Sequence, residues 1–235
     1  SRGLGDVYKR QALLSAALVP LILAACALAP GQESPAGTGA QTDTDHVVLR
    51  LANSHNAQHI TSQACQMFAD LVAERTDGRI TIECHFDGEL GDERSTIEQC
   101  QFGGVDFTRV SSGVSAEFAP LMNALQMPYE YTDVNHLFRV LDGEIGQEVF
   151  DTFRDNGLVG ITYLHPGFRC FFNARKEIRT PADISGMRIR VSESDLMLNM
   201  MECLGATGVG LPFNSTYSAI QTGMVDGAEN NMTSY

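Results

Sequence analysis

"GMRIRVSESDLMLNMMECLGATGVGLP", residues 186–212, moves from a strand to a helix and back to a strand. Met187, Ile189 and Val191 alternate with Arg188 and Arg190, the period of two that a strand imposes. "SDLMLNMMECLGA" then reads as a helix closed by Gly205, and "TGVGLP" as a short strand. Strand–helix alternation is the signature of α/β layers with largely parallel sheets. On the strand reading both arginines share one face, in a chain whose formal charge is −13, and the pattern alone does not choose between them.

The same alternation extends in both directions. Upstream, "VVLRLAN" (47–53) reads as a buried strand. "QHITSQACQMFADLVAERTDG" reads as a helix with an apolar stripe of Ile60, Ala64, Met67, Phe68, Leu71 and Val72, ended by Gly78. "RITIECHFD" (79–87) is a second strand, and "DERSTIEQCQFGG" a second helix with Asp92 as N-cap and Gly103–Gly104 as its stop. "VDFTRVSSG" is a third strand entering a Ser-Gly loop. "DVNHLFRVLDGEIGQEVFDTFRDNG" is helical, with a break near Gly143. "LVGITYLHPGFRCFFNA" is one long strand, or two with a bend at Pro166–Gly167. Downstream, "NSTYSAIQTG" is a helix capped by Asn214 or Ser215 and stopped by Gly223, and "VDGAENNMTSY" reads as a polar loop. No internal repeat is visible, and the chain reads as cut off.

Composition narrows the function. With 43% hydrophobic and 19% charged residues the chain is ordinary globular material. A pI near 4.7 argues against nucleic acid, whose phosphates need a basic surface. It leaves room for an anionic small ligand, because a local cationic pocket can exist within a negative net field. The first residues are not fold: "SRGLGDVYKRQ" reads as a foreign leader, followed by the apolar run "ALLSAALVPLILAAC" behind Lys9 and Arg10. "LAAC" (23–26) resembles the lipobox of bacterial lipoproteins, which makes residues 1–25 leader plus signal peptide and Cys26 the lipidated residue. Removing that segment, with three basic residues and one acidic, leaves −15. Residues 26–45 are rich in Gly, Pro, Ala and Thr and read as a flexible tether. The expected location is therefore extracytoplasmic, periplasmic or at the cell surface, held to a bacterial membrane by lipid. The remaining cysteines, Cys65, Cys84, Cys100, Cys170 and Cys203, are odd in number and form no C-x-x-C pair, so buried free thiols are expected for most.

Nucleophile elbows, Walker loops, dinucleotide fingerprints and H-E-x-x-H are all absent. His55 and His59 stand four apart at a helix start, but without a third ligand they read as a solvated helix end rather than a metal site. "GELGDERS" (88–95) reads as a turn plus helix cap. The informative group is cationic. Arg169 lies between Phe168 and Cys170, and Arg190 between Ile189 and Val191. Burying either without an anionic or hydrogen-bonding partner is costly, and a guanidinium presents a planar fork matched to a carboxylate. A structural salt bridge and a ligand clamp both answer that description.

At this point the motifs resemble a known family. "RITIECHFDGELGDERSTIEQCQFGGVDFTRVSSG" resembles the opening lobe of the DctP-type solute-binding proteins of tripartite ATP-independent periplasmic (TRAP) transporters. "GFRCFFN" (167–173), "RTPADISGMRIRV" (179–191) and "LGATGVGLPFNSTYSAIQTGMVDGAENN" (204–231) continue it in the right order, from about Val47 to the end. The resemblance implies an α/β, two-lobed periplasmic-binding-protein-like fold of the type II kind, with lobe I over 46–160 and a partial lobe II over 161–235. The second lobe and its crossover segments are incomplete.

The resemblance also implies a function. The protein would close around a small organic acid and deliver it to the TRAP permease subunits, without catalysis, cofactor or metal. Arg190 takes the place of the carboxylate clamp, and Arg188 that of a structural or solvated neighbour. Arg169 is implied as a second contact, with Asn173 nearby. Asn230 is implied to face the ligand with Glu229 beside it, and Tyr217 and Phe213 to line the site. First-lobe contacts are implied at Asn53 to His55 and at Ser111 and Ser112. A ligand sensor that uses the same lobes to signal to a membrane receptor is the alternative. A hydrolase would need a reactive residue with its base, and none is found.

Overall fold

Two sheets organise residues 46–234, the part of the chain described by the computed structural model. The first has strand order β2-β1-β3, with β1 (Val47–Asn53), β2 (Ile80–His85) and β3 (Phe107–Arg109) all parallel. The second has order β4-β7-β5-β6. Here β5 (Arg188–Val191) runs parallel to β6 (Thr207–Gly210) and to β7 (Gly227–Asn231), while β4 (Arg169–Asn173) is an antiparallel edge on β7.

Helices join the strands. In the first sheet these are α1 (Ile60–Arg75) and α2 (Glu93–Gln101), and in the second α7 (Asp195–Cys203) and α8 (Thr216–Gln221). Between the sheets lie a single turn α3 (Ser112–Ser115) and the helices α4 (Val134–Leu141) and α5 (Glu144–Thr152), and a second single turn α6 (Pro181–Ile184) joins β4 to β5. Each sheet is thus one βαβαβ unit in which the third strand returns to the far side of the first. The sequence shows no repeat, but the topology does. In such units ligands sit outside the carboxyl ends of the strands, where the order reverses.

Local chemistry explains most boundaries. Asp92 caps α2 by accepting from Ser95 N at 2.8 Å. Gly143 divides α4 from α5 as the N-cap of the latter. Thr180 and Asp183 form a capping box around α6. The largest buried apolar cluster among the described residues lies where α7 covers β5 and β6, with Ile184, Met187, Ile189, Val191, Met197, Met201 and Ala206 buried together. A smaller core of Leu51, Cys65, Ala69 and Ile82 joins α1 to the first sheet. No helix among the described residues is long and apolar enough to cross a membrane. Cys26, the leader and the tether lie outside the described residues.

Several expectations are corrected. Strand β1 is buried only from Leu51 onward; Val47 and Val48 are each 47% exposed, because β3 covers only the last three residues of β1. The buried face of α1 is Thr61, Ser62, Cys65 and Ala69, flanked by Phe68 and Val72, while Ile60, Met67 and Leu71 point outward. In "LVGITYLHPGFRCFFNA" only Arg169–Asn173 pairs as a strand. Neither Asn214 nor Ser215 caps α8 through its side chain; Asn214 Nδ2 instead donates to Asp87 O at 3.1 Å. The tail is not a loop, since Gly227–Asn231 is the fully buried strand β7 inside its sheet. His55 and His59 are buried rather than solvated. All five described cysteines are free thiols as expected, but only Cys65 is fully buried.

Candidate ligand-binding site

The carboxyl ends of β1, β3, β5 and β7 meet at one cavity of about 1390 Å³. Its wall includes His55 after β1, Arg109, Ser111 and Ser112 at the end of β3, Arg190 on β5 and Ser192 just after it, and Glu229, Asn230 and Asn231 on β7. Arg169 joins them because β4 is antiparallel to β7, which sets Arg169 opposite Asn231. These are the strand ends beside the two topological switch points.

Arg190 is only 3% exposed, between Ile189 and Val191, which face the α7 core. Its Nε and Nη2 donate to Leu211 O at 2.9 and 2.5 Å, a two-point anchor that fixes the plane of the fork. Arg169 makes a bidentate pair with the buried Glu229 carboxylate, Nη2 to Oε1 at 2.8 Å and Nε to Oε2 at 2.5 Å. Across the cavity Glu93, the first residue of α2, holds the end of β3. Its Oε2 accepts from Ser111 Oγ at 2.6 Å, and its Oε1 from Ser111 N at 3.0 Å and Arg109 Nη1 at 3.3 Å. Burial lowers the pKa of Arg109, and the Glu93 carboxylate opposes that shift. The lining carries four arginines, Arg109, Arg169, Arg179 and Arg190, beside Glu93, Asp106 and Glu229, and Arg179 is itself paired with Glu177 at 2.9 Å.

Neutral groups complete the wall. Asn230 Oδ1 accepts from Asn231 N at 2.9 Å and from Asn231 Nδ2 at 3.1 Å, which leaves the Asn230 amide NH₂ for the cavity. The His55 ring lies 3.9 Å from that of His59 and meets Phe213 edge-on at 4.5 Å, centroid to centroid. Burial first, then the charge of Arg109 and the presence of His59, lowers the His55 pKa to about 2, so the imidazole is neutral.

Eight of the residues expected at the site therefore line one cavity: His55, Ser111, Ser112, Arg169, Arg190, Phe213, Glu229 and Asn230. Three do not. Asn53 sits behind the wall, accepting from His55 N and donating to Ser62 Oγ, each at 3.0 Å. Asn173 closes a turn, its Oδ1 accepting from Arg175 N and Lys176 N at 2.8 Å. Tyr217 is 75% exposed on α8 and lies off the cavity. Arg188 also stays outside, donating to Asp226 Oδ1 at 3.1 Å and to Gly223 O at 2.8 Å.

The residues that sequence reasoning passed over are Glu93, Arg109, Ser192 and Asn231. Arg109 carried the same signal as Arg169 and Arg190, a guanidinium within a short strand run. Glu93 was hidden in "GELGDERS", where its place beside the Asp92 cap looked sufficient.

Comparison with known proteins agrees with this fold. Residues 51–235 match the family model described as bacterial extracellular solute-binding protein, family 7 (DctP). A solute-binding protein of Chromohalobacter salexigens is 31% identical over 198 residues, 84% of this chain and 58% of the relative. The C4-dicarboxylate-binding protein DctB of Bacillus subtilis is 32% identical, covering 80% of this chain and 54% of the relative. A TRAP periplasmic solute-binding protein of Xanthobacter autotrophicus, solved with bound β-D-galacturonate, superposes with a TM-score of 0.77 at 36% identity. That match covers 80% of this chain and 62% of the solved one. The chain thus spans less than two thirds of the length of these relatives. Family model and fold converge, and the chain belongs to the DctP family of bacterial extracellular solute-binding proteins.

Proposed function

We propose that the chain is the ligand-capturing part of an extracytoplasmic protein that takes a small organic acid by its carboxylate and hands it to the membrane subunits of a TRAP transporter. The observation that carries this reading is Arg190, buried at the end of β5, anchored on Leu211 O and lining the cavity. A guanidinium so held is preorganised for a carboxylate. Each charge-assisted hydrogen bond contributes about 1.5–3 kcal/mol, and a micromolar complex needs about −8 kcal/mol in all. Asn230, Arg109 and Arg169 stand where they can supply the rest. The similar proteins support the ligand class: one holds β-D-galacturonate and another is named for C4-dicarboxylates. In this reading two lobes, 46–160 and 161–235, close on the acid as a ligand-shifted hinge equilibrium, and the acid leaves unchanged. Cys26 carries the lipid that keeps the protein at the membrane.

Calorimetry tests it. Arg190→Lys keeps the charge and loses the fork, so affinity for D-galacturonate falls ~10-fold or more. Unchanged affinity removes Arg190 from the clamp.

A further inference from the structure

The hydrogen-bond chain behind the cavity wall fixes which His55 nitrogen carries the proton. Thr61 N donates to His59 Nδ1 at 3.2 Å, so that nitrogen carries no proton. Thr61 Oγ1 lies 2.8 Å from the same nitrogen, so its hydroxyl proton goes there. The hydroxyl oxygen is then left as an acceptor, and His55 Nδ1, 3.1 Å away, must donate to it. Behind this, His59 Nε2 carries its own proton and donates to Ser234 Oγ at 3.4 Å, and Ser234 Oγ donates to Asn231 Oδ1 at 2.8 Å. Every proton in the relay is thereby placed.

A neutral ring protonated on Nδ1 has a bare lone pair on Nε2. That atom has no hydrogen-bond partner among the described residues. It is also not among the sealed unpartnered polar atoms, which are His85 Nε2, Ser194 Oγ and Thr216 Oγ1. It therefore meets the cavity that His55 lines.

We propose that His55 Nε2 accepts a hydrogen bond from a ligand hydroxyl, so that the site takes a hydroxylated acid in preference to one without a hydroxyl, such as succinate. This rests on the organic-acid reading above and narrows it. Arg190 and the Asn230 amide offer donors, which suit carboxylate oxygens; His55 offers an acceptor, which a carboxylate cannot satisfy and an O–H can. A site built to bond a ligand O–H discriminates against the analogue lacking it, because the protein atom is left unpaired.

The test is calorimetry on the full chain with D-galacturonate and succinate, before and after His55→Phe. The expected result is at least ~10-fold tighter binding of D-galacturonate, with the variant losing about 10-fold more affinity for it than for succinate. Equal affinity for the two acids, or an equal loss for both, overturns the inference and leaves the organic-acid reading standing. Binding of neither acid overturns both. A long-range proton–nitrogen correlation spectrum of the unliganded protein supplies a second measurement. His55 protonated on Nδ1 supports the assignment, and a ring protonated on Nε2 overturns it whatever the variant does.

Discussion

Arg188 and Arg190 stand two residues apart on β5, yet their surroundings separate them completely. Arg188, at the exposed start of the strand, grips Asp226 with its backbone N, Nε and Nη2. Arg190, two residues on, is buried at the cavity. The alternation of "MRIRV" placed both on one face, and nothing within those residues could tell them apart. The difference comes from Asp226 and Leu211, which only the fold brings near. The Arg188 hydrogen bonds hold the Asp226 carboxyl at a pKa of about 2, against an ordinary 3.8. A depressed carboxylate stabilises the fold above its unfolded pKa, and that stability is lost as pH falls through the folded value. Asp226→Asn should therefore lower the melting temperature at neutral pH, with the gap to the native protein closing between about pH 4 and pH 2. A gap that stays constant across a pH series of thermal melts would show that the ion pair contributes nothing.

At the scale of elements, legibility followed apolar periodicity. Strand β5, the helix α7 and the capped helix α2 announced themselves, because their buried faces are apolar or their caps have a chemical signature. Strand β7 did not. "GAENN" is polar, and it is buried because its polar atoms are consumed: Glu229 by Arg169, and Asn231 by Thr233 and Ser234. Gly227 is required there, since a Cβ would lie 2.3 Å from Phe172 O on β4. The stripe of α1 misled because Ile60, Met67 and Leu71 also repeat at helical spacing, on the outward side. One contact between elements is open to test. A Cβ on Gly113 of α3 would stand 3.0 Å from Ser192 Cβ, where α3 meets the end of β5. Gly113→Val should cost about 1–3 kcal/mol by overpacking, read as a lower urea midpoint. An unchanged midpoint would mean that the two elements part freely.

For the whole molecule, the arrangement is two βαβαβ units whose switch points share a cavity. This explains why cavity-lining residues scattered from His55 to Asn231 converge. Family resemblance supplied several of those positions, and the topology supplies the reason for them. Asn173 and Tyr217 fall outside the cavity wall, as neither occupies a strand end beside a switch point. The proposed anion site sits inside a chain of net charge −13. In the proposed capture an approaching anion meets repulsion before attraction, which makes the process a matter of timing as well as tightness. Salt shortens the reach of the outer field, from about 30 Å at 0.01 M to about 8 Å at 0.15 M, and screens a buried pair much less. Stopped-flow traces should therefore show association with D-galacturonate accelerating as ionic strength rises, while dissociation changes little. Slower association at higher salt would instead mean that the cavity's charge governs the encounter. On this account, the acidic exterior sets how long the protein waits for its ligand, and the strand ends set how long it keeps it.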